Sequence, residues 1–165
     1  MRYFLDFEFD ARGPIIEPIS LGIVREPLSD TQDTELYIEF DFDPVEVRKN
    51  TWVWQHVVPL LTTAPERRLS PDEASEQMVR FIGDDPEPEM WGYYAAYDYV
   101  IWCHRIFGGM AKLPSRYPQL WLDLQQMFMQ MGSPRHLKPP QPKQQHNALA
   151  DARWNREFHR GMTGQ

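Results

Sequence analysis

Seven residues near the N-terminus constrain the fold more than any other stretch. From Tyr3 to Phe9 the side chains alternate, so on an extended strand Tyr3, Leu5, Phe7 and Phe9 face one way and Phe4, Asp6 and Glu8 the other. Asp6 and Glu8, two residues apart, leave the same face side by side. An isolated D-x-E is more often a solvated strand face. Here the flanking residues belong to a strand well inside a sheet, where an unpaired carboxylate is unfavourable. No basic partner is evident nearby, so the pair reads as a seat for a hard cation.

The chain around this strand predicts an α/β order. Ala11 to Pro14 reads as a turn, and the apolar run from Ile15 to Val24 as a second strand that begins or bulges at Pro18. A third strand is expected over Glu35 to Phe42, giving an antiparallel meander. Helical character starts near Pro44 and again over Trp52 to Leu61. Ser70 as cap, Pro71 at the first helical position and Glu73 closing a capping box predict a helix to Ile82, stopped at Gly83. A short strand is expected over Glu89 to Tyr93. A helix is expected over Tyr97 to Phe107, with Val100, Cys103 and Phe107 at core spacing and Gly108-Gly109 ending it. A short strand over Leu120 to Leu122 leads into a Met-rich helix ending near Gly132. Ser133 to Gln145, rich in proline and basic residues, reads as an irregular loop, either a clamp on a phosphate chain or a plain connector. The last helix spans Asn147 to Gly161. With no repeat and no boundary, the 165 residues are expected to form one domain with a mixed sheet.

Three further residues bear on chemistry. His146 and Asp151 form an H-x4-D pair, which a continuous helix would place about 140° apart. If the helix starts at Asn147, His146 lies on the preceding loop and can turn towards Asp151. Ala148, Ala150 and Ala152 would let that helix approach the sheet closely. Asp98 sits in the first turn of its helix, roughly opposite the apolar stripe, where a helix dipole alone would favour an acid.

Net charge is −7, which argues against broad electrostatic adhesion to nucleic acid. A carboxylate cluster that binds divalent cations removes the objection, because two such ions would neutralise four site carboxylates. The single cysteine, Cys103, cannot form an internal disulfide and reads as a small buried hydrophobe. There is no signal-peptide pattern and no apolar run long enough to span a bilayer, so a cytoplasmic setting is expected. Six tryptophans exceed what a core of this size usually needs, which points to an interface or a substrate surface for some of them.

The order D-x-E, a lone mid-chain Asp after a short strand, then H-x4-D is far more specific than its parts. It resembles the DEDDh 3′→5′ exonucleases, a branch of the RNase H-like fold. The likeness is nearest to the RNase AS family, the polyadenylate-specific 3′-exoribonucleases. It is carried by residues 2–9 (RYFLDFEF), 19–24 (ISLGIV), 96–98 (AYD) and 146–153 (HNALADAR). Tyr94-Ala95-Ala96-Tyr97 departs from the family, many of whose members carry an Asn shortly before the central Asp. The resemblance implies a mixed five-stranded sheet with flanking helices and a two-metal-ion mechanism with Mg²⁺ or Mn²⁺. Asp6, Glu8 and Asp151 would hold one ion and Asp6 and Asp98 would position the second, with His146 as general base. It also implies a homodimer acting on the 3′ end of single-stranded RNA. Phe9 would meet the terminal nucleotide, with stacking from Trp91, Tyr94 or Trp52. A 3′→5′ exodeoxyribonuclease with the same chemistry and a catalytically silent nucleic-acid-binding module are the alternatives. RNA over DNA rests on the resemblance alone, while five competent residues count against the silent module.

Overall fold

The computed structural model describes residues 1–26 and 34–164. Its centre is the strand anticipated at the N-terminus, β1 (Arg2–Asp10), with β2 (Glu17–Arg25) and then β3 (Glu35–Glu39) on one side. β1–β2 and β2–β3 pair antiparallel, as a meander requires, and the β2–β3 connection lies outside the described residues. β4 (Glu89–Gly92) and β5 (Leu122–Asp123) add in parallel on the other side. The sheet is therefore five-stranded and mixed, in the order β3-β2-β1-β4-β5.

Pro18 marks a bulge. Glu8 pairs with Ser20 but Phe9 with Pro18, which leaves Ile19 as the extra residue. The third strand stops at Glu39, short of the expected Phe42, and Phe40 makes only an isolated bridge to Leu69. Two short helices follow, α1 (Pro44–Val47) and α2 (Thr51–His56). Val47, Val53 and Val57 pack with Ile19 and Phe42 into a small second core.

The main core lies under the odd-numbered face of β1. Tyr3, Leu5 and Phe7 meet Ala74, Met78 and Ile82 of α3 (Pro71–Ile82) and the helical segment after β4. α3 starts as its sequence predicts, with a Ser70–Glu73 capping box and Pro71 in the first turn. The segment after β4 does not follow the expected spacing. α4 (Ala96–Val100) passes into a π-helical stretch, Ile101–Ile106, in which the Phe107 amide donates to Trp102 O at 3.2 Å. The wider turn rotates the apolar face, burying Ile101, Trp102, Cys103 and Ile106 and leaving Val100 43% exposed. Asp98, expected opposite the apolar stripe, is buried instead at 5% exposure.

α5 (Leu124–Gln130) follows β5, capped by the Asp123 side chain. The even-numbered face of β1 is covered by α6 (Ala148–Thr163). Its small first turn fits as anticipated: Ala148 and Ala152 are fully buried, and Gly22 of β2 lies directly beneath. A Cβ at Gly22 would stand 2.3 Å from Ala148 O, so only glycine lets the helix come this close. Of the tryptophans, Trp102, Trp121 and Trp154 are buried and Trp52 is 47% exposed. No helix among the described residues is long and apolar enough to cross a membrane.

Candidate active site

Four carboxylates and a histidine converge where the even face of β1 meets the N-terminus of α6. β1 supplies Asp6 and Glu8 directly from its alternation. The backbone turns left-handed at His146 (φ 72), and Asn147 then caps α6, its side chain accepting from Ala150 N at 3.1 Å. Such a conformation costs a non-glycine residue about 1–3 kcal/mol and persists only where its surroundings enforce it. Here the His146 amide donates to Asp151 Oδ2 at 2.8 Å, fixing the loop to the first turn of the helix. His146 Nδ1 comes to 3.7 Å from Glu8 Oε1. One ligand atom each from Glu8, His146 and Asp151 lie within 4.8 Å of one another, a grouping that can hold a metal ion. The chain's own geometry thus takes His146 off the helix, which removes the angular conflict in H-x4-D.

Asp98 reaches the cluster from the other side. β4 pairs with β1 only as far as Phe4↔Trp91, so the Phe7 amide lies beyond the last pair. Asp98 Oδ1 accepts from it at 3.0 Å. Gly92 leaves room, since a Cβ there would sit 3.3 Å from Asp98 Oδ2. Asp123 anchors the same turn by accepting from Ala95 N at 2.7 Å.

Burial shifts the titration of every group in the cluster. Burial, then the charges of Asp98, Glu8 and Asp151, hold the Asp6 carboxyl well above the usual carboxylate range. Burial followed by Asp151 and Asp98 raises Glu8 to about 8. Burial raises Asp98 to about 7 against the opposing Phe7 amide, and Asp151 to about 6 against the His146 amide. Among the described residues no lysine or arginine forms an ion pair with any of the four. Burial and the neighbouring His56 push the His146 imidazole below its ordinary value, so it is neutral at pH 7 and able to accept a proton.

A cleft of about 190 Å³ opens onto this cluster, lined by Asp6, Glu8, His146, Asp151, Asn155 and Tyr93 together with Gln141, Gln145 and Trp154. Asn155 had not been singled out, although it follows Asp151 by four residues and so shares its helix face. Its Nδ2 donates to Leu5 O at 2.8 Å, clamping α6 to β1 beside Asp6. The aromatics named from sequence take different places. Phe9 stacks on Tyr97 with centroids 5.4 Å apart. Trp91 packs edge-on against His159, and its indole N–H donates to Glu89; Tyr94 is 60% exposed beside Tyr93. Neither lines the cleft. Trp52 meets His146 edge-on at 4.8 Å and stacks on His56 at 4.9 Å. His56 was missed, though its spacing from Trp52 on one helix face was readable.

An acid cluster with a neutral histidine, set on a mixed sheet, is the equipment of an enzyme, and comparison with known proteins says of which class: a 3′-5′ exoribonuclease. The chain belongs to the family described as the 3′-5′ exoribonuclease Rv2179c-like domain, whose model matches residues 1–162. Two relatives from Mycobacterium tuberculosis, of strains CDC 1551 / Oshkosh and H37Rv, are each named a 3′-5′ exoribonuclease. Each is 37% identical over 159 residues, covering 93% of this chain and 88% of its own length. Among solved structures, a chain in that of the yeast NOT1 MIF4G domain co-crystallised with CAF1 superposes with a TM-score of 0.51. It covers 99% of this chain and 80% of that one at 14% identity, a likeness of fold alone.

Proposed function

We propose that this exoribonuclease is a metal-dependent enzyme of the DEDDh type on an RNase H-like single domain, releasing nucleoside 5′-monophosphates from the 3′ end of single-stranded RNA. The observation that carries the reading is a group of four carboxylates whose pKa values are raised by burial, those of Asp6 and Glu8 further by their acidic neighbours, with no cationic side chain among them and a neutral histidine at their edge. That donor set fits hard divalent ions, Mg²⁺ or Mn²⁺. Asp6, Glu8 and Asp151 would hold one and Asp6 and Asp98 the second. Bound there, two ions supply charge stabilisation for the attacking and leaving oxygens of an in-line displacement at phosphorus. His146 takes the proton of the attacking water. Asn155 and the Asp151–His146 hydrogen bond keep base and carboxylates in register. Trp52, exposed and touching His146, is the aromatic best placed to stack a nucleobase.

The resemblance to RNase AS supports polyadenylate as the RNA, and a homodimer as the working form. The single buried thiol, Cys103, asks for no oxidising compartment and supports a cytoplasmic setting. The test is incubation with Mg²⁺ and end-labelled poly(A), poly(U) and single-stranded DNA. Release of 5′-mononucleotides, fastest from poly(A), is the expected result. Faster loss of DNA than of any RNA, or no Mg²⁺-dependent release at all, would overturn the reading.

A further inference from the structure

The strap between Ser133 and His146 is held against α6 and the end of β4 along its length. Its one half-buried lysine is committed elsewhere. Lys138 Nζ donates to Tyr93 OH at 2.8 Å and stands 4.8, 5.6 and 5.8 Å from the ring centroids of Tyr93, Trp154 and Phe158. No carboxylate pairs with it among the described residues, so the aromatic faces hold the ammonium. The strap backbone is fastened to α6 on either side of this cage. Leu137 O lies 2.8 Å from where a Cβ at Gly161 would be, and Trp154 Nε1 donates to Pro139 O and Pro140 O at 3.2 and 3.0 Å.

Two of the cage residues, Tyr93 and Trp154, are also walls of the acid cleft. The strap itself supplies Gln141, Gln145 and His146 to that cleft. The three non-glycine residues with positive φ among those described are Ser133 (φ 56), His146 (φ 72) and Tyr94 (φ 59). The first two bound the strap and the third follows the tyrosine that receives it. A segment bent unfavourably at both ends needs a fastening between them.

We propose that Lys138 is a positioning residue, latching the strap to its aromatic cage so that His146, Gln141 and Gln145 stay over the carboxylates. The latch itself follows from the contacts above, and its catalytic consequence rests on the function proposed for His146. Losing the ammonium leaves Asp6, Glu8 and Asp98 in place, because β1 and α4 hold them without the strap. What is lost is the placement of the base.

The experiment compares Lys138→Met, close in length but uncharged, with Lys138→Arg, which keeps both the cation and a donor. Hydrogen exchange on the full chain and single-strand RNA turnover under saturating Mn²⁺ are read together. In Lys138→Met, amide protection at positions 138, 146 and 147, the hydrogen-bonded amides of the strap, is expected to fall while that of β1 and β2 is kept. kcat falls ~10- to 100-fold, the size of effect that displacing a catalytic group by about 1 Å produces, and KM moves far less. Lys138→Arg restores both. Unchanged protection in Lys138→Met overturns the latch, as does loss of protection spread through the core. Loss of strap protection with native kcat overturns the positioning role, as does failure of Lys138→Arg to restore it. Should the native chain hydrolyse no RNA, the functional reading falls while hydrogen exchange still decides whether the latch exists.

Discussion

Replacing Glu8 with glutamine should make the metal-free protein more stable while disabling it. Glu8 has its pKa raised to about 8 by burial and by Asp151 and Asp98. In the unfolded chain it returns to ~4.3. A carboxyl raised in this way opposes folding in a defined window. Its effect is absent below the unfolded value, grows as pH rises from ~4.3 towards about 8, and is complete above that. At ~1.4 kcal/mol per pH unit, the difference between the two values sets a ceiling of about 5 kcal/mol. The Glu8 side chain is 12% exposed at the cleft mouth, and ionisation there draws in water, so a net effect of ~2 kcal/mol is a better expectation. For a chain of 165 residues that corresponds to ~4–8 °C in Tm. Calorimetry of native protein and Glu8→Gln in EDTA at pH 8.5 and pH 5.5 measures it. The variant should melt higher at pH 8.5, with less than half that gain at pH 5.5. Saturating Mn²⁺ should reverse the order, since the native site gains ~2.7 kcal/mol at a hundredfold excess over Kd and the variant less. A lower Tm for Glu8→Gln at pH 8.5 in EDTA, or a gain independent of pH, would refute the account of this cluster as an unsatisfied cation site.

His146→Asn keeps a residue that tolerates the left-handed backbone but removes the proposed base; turnover should fall ~10²–10⁴-fold with Mn²⁺ affinity by calorimetric titration nearly intact, and native turnover would make His146 a bystander. Gly22→Ala should cost ~3 kcal/mol or more in urea unfolding and weaken Mn²⁺ binding, because the added Cβ meets the Ala148 backbone and lifts the helix that carries Asp151. An unchanged unfolding midpoint would show that α6 does not need this approach. Light scattering at micromolar concentration should return about twice the 19.6 kDa of one chain, and a monomer mass would remove the homodimer.

Much of the site could be read from local pattern because its logic is local. A period of two puts Asp6 and Glu8 on one face whatever surrounds them, and a cap at Asn147 necessarily places His146 before the helix and Asp151 in its first turn. The Ser70–Glu73 box and Pro18 bulge are likewise short-range chemistry that few residues determine. Asp98 was different. Its carboxylate is buried against the Phe7 amide of β1, 91 residues away along the chain, a contact that no spacing rule within its own segment contains. The same holds for the role of Lys138, whose three aromatic neighbours come from residues 45, 16 and 20 positions away along the chain. Sequence alone determined which acidic and histidine side chains could form the cluster and which face of β1 presents Asp6 and Glu8. Only the tertiary structure decided how near they stand, because distance between elements is set by the smallest side chain at each contact, here Gly22 under Ala148, and by how the core fills beneath them.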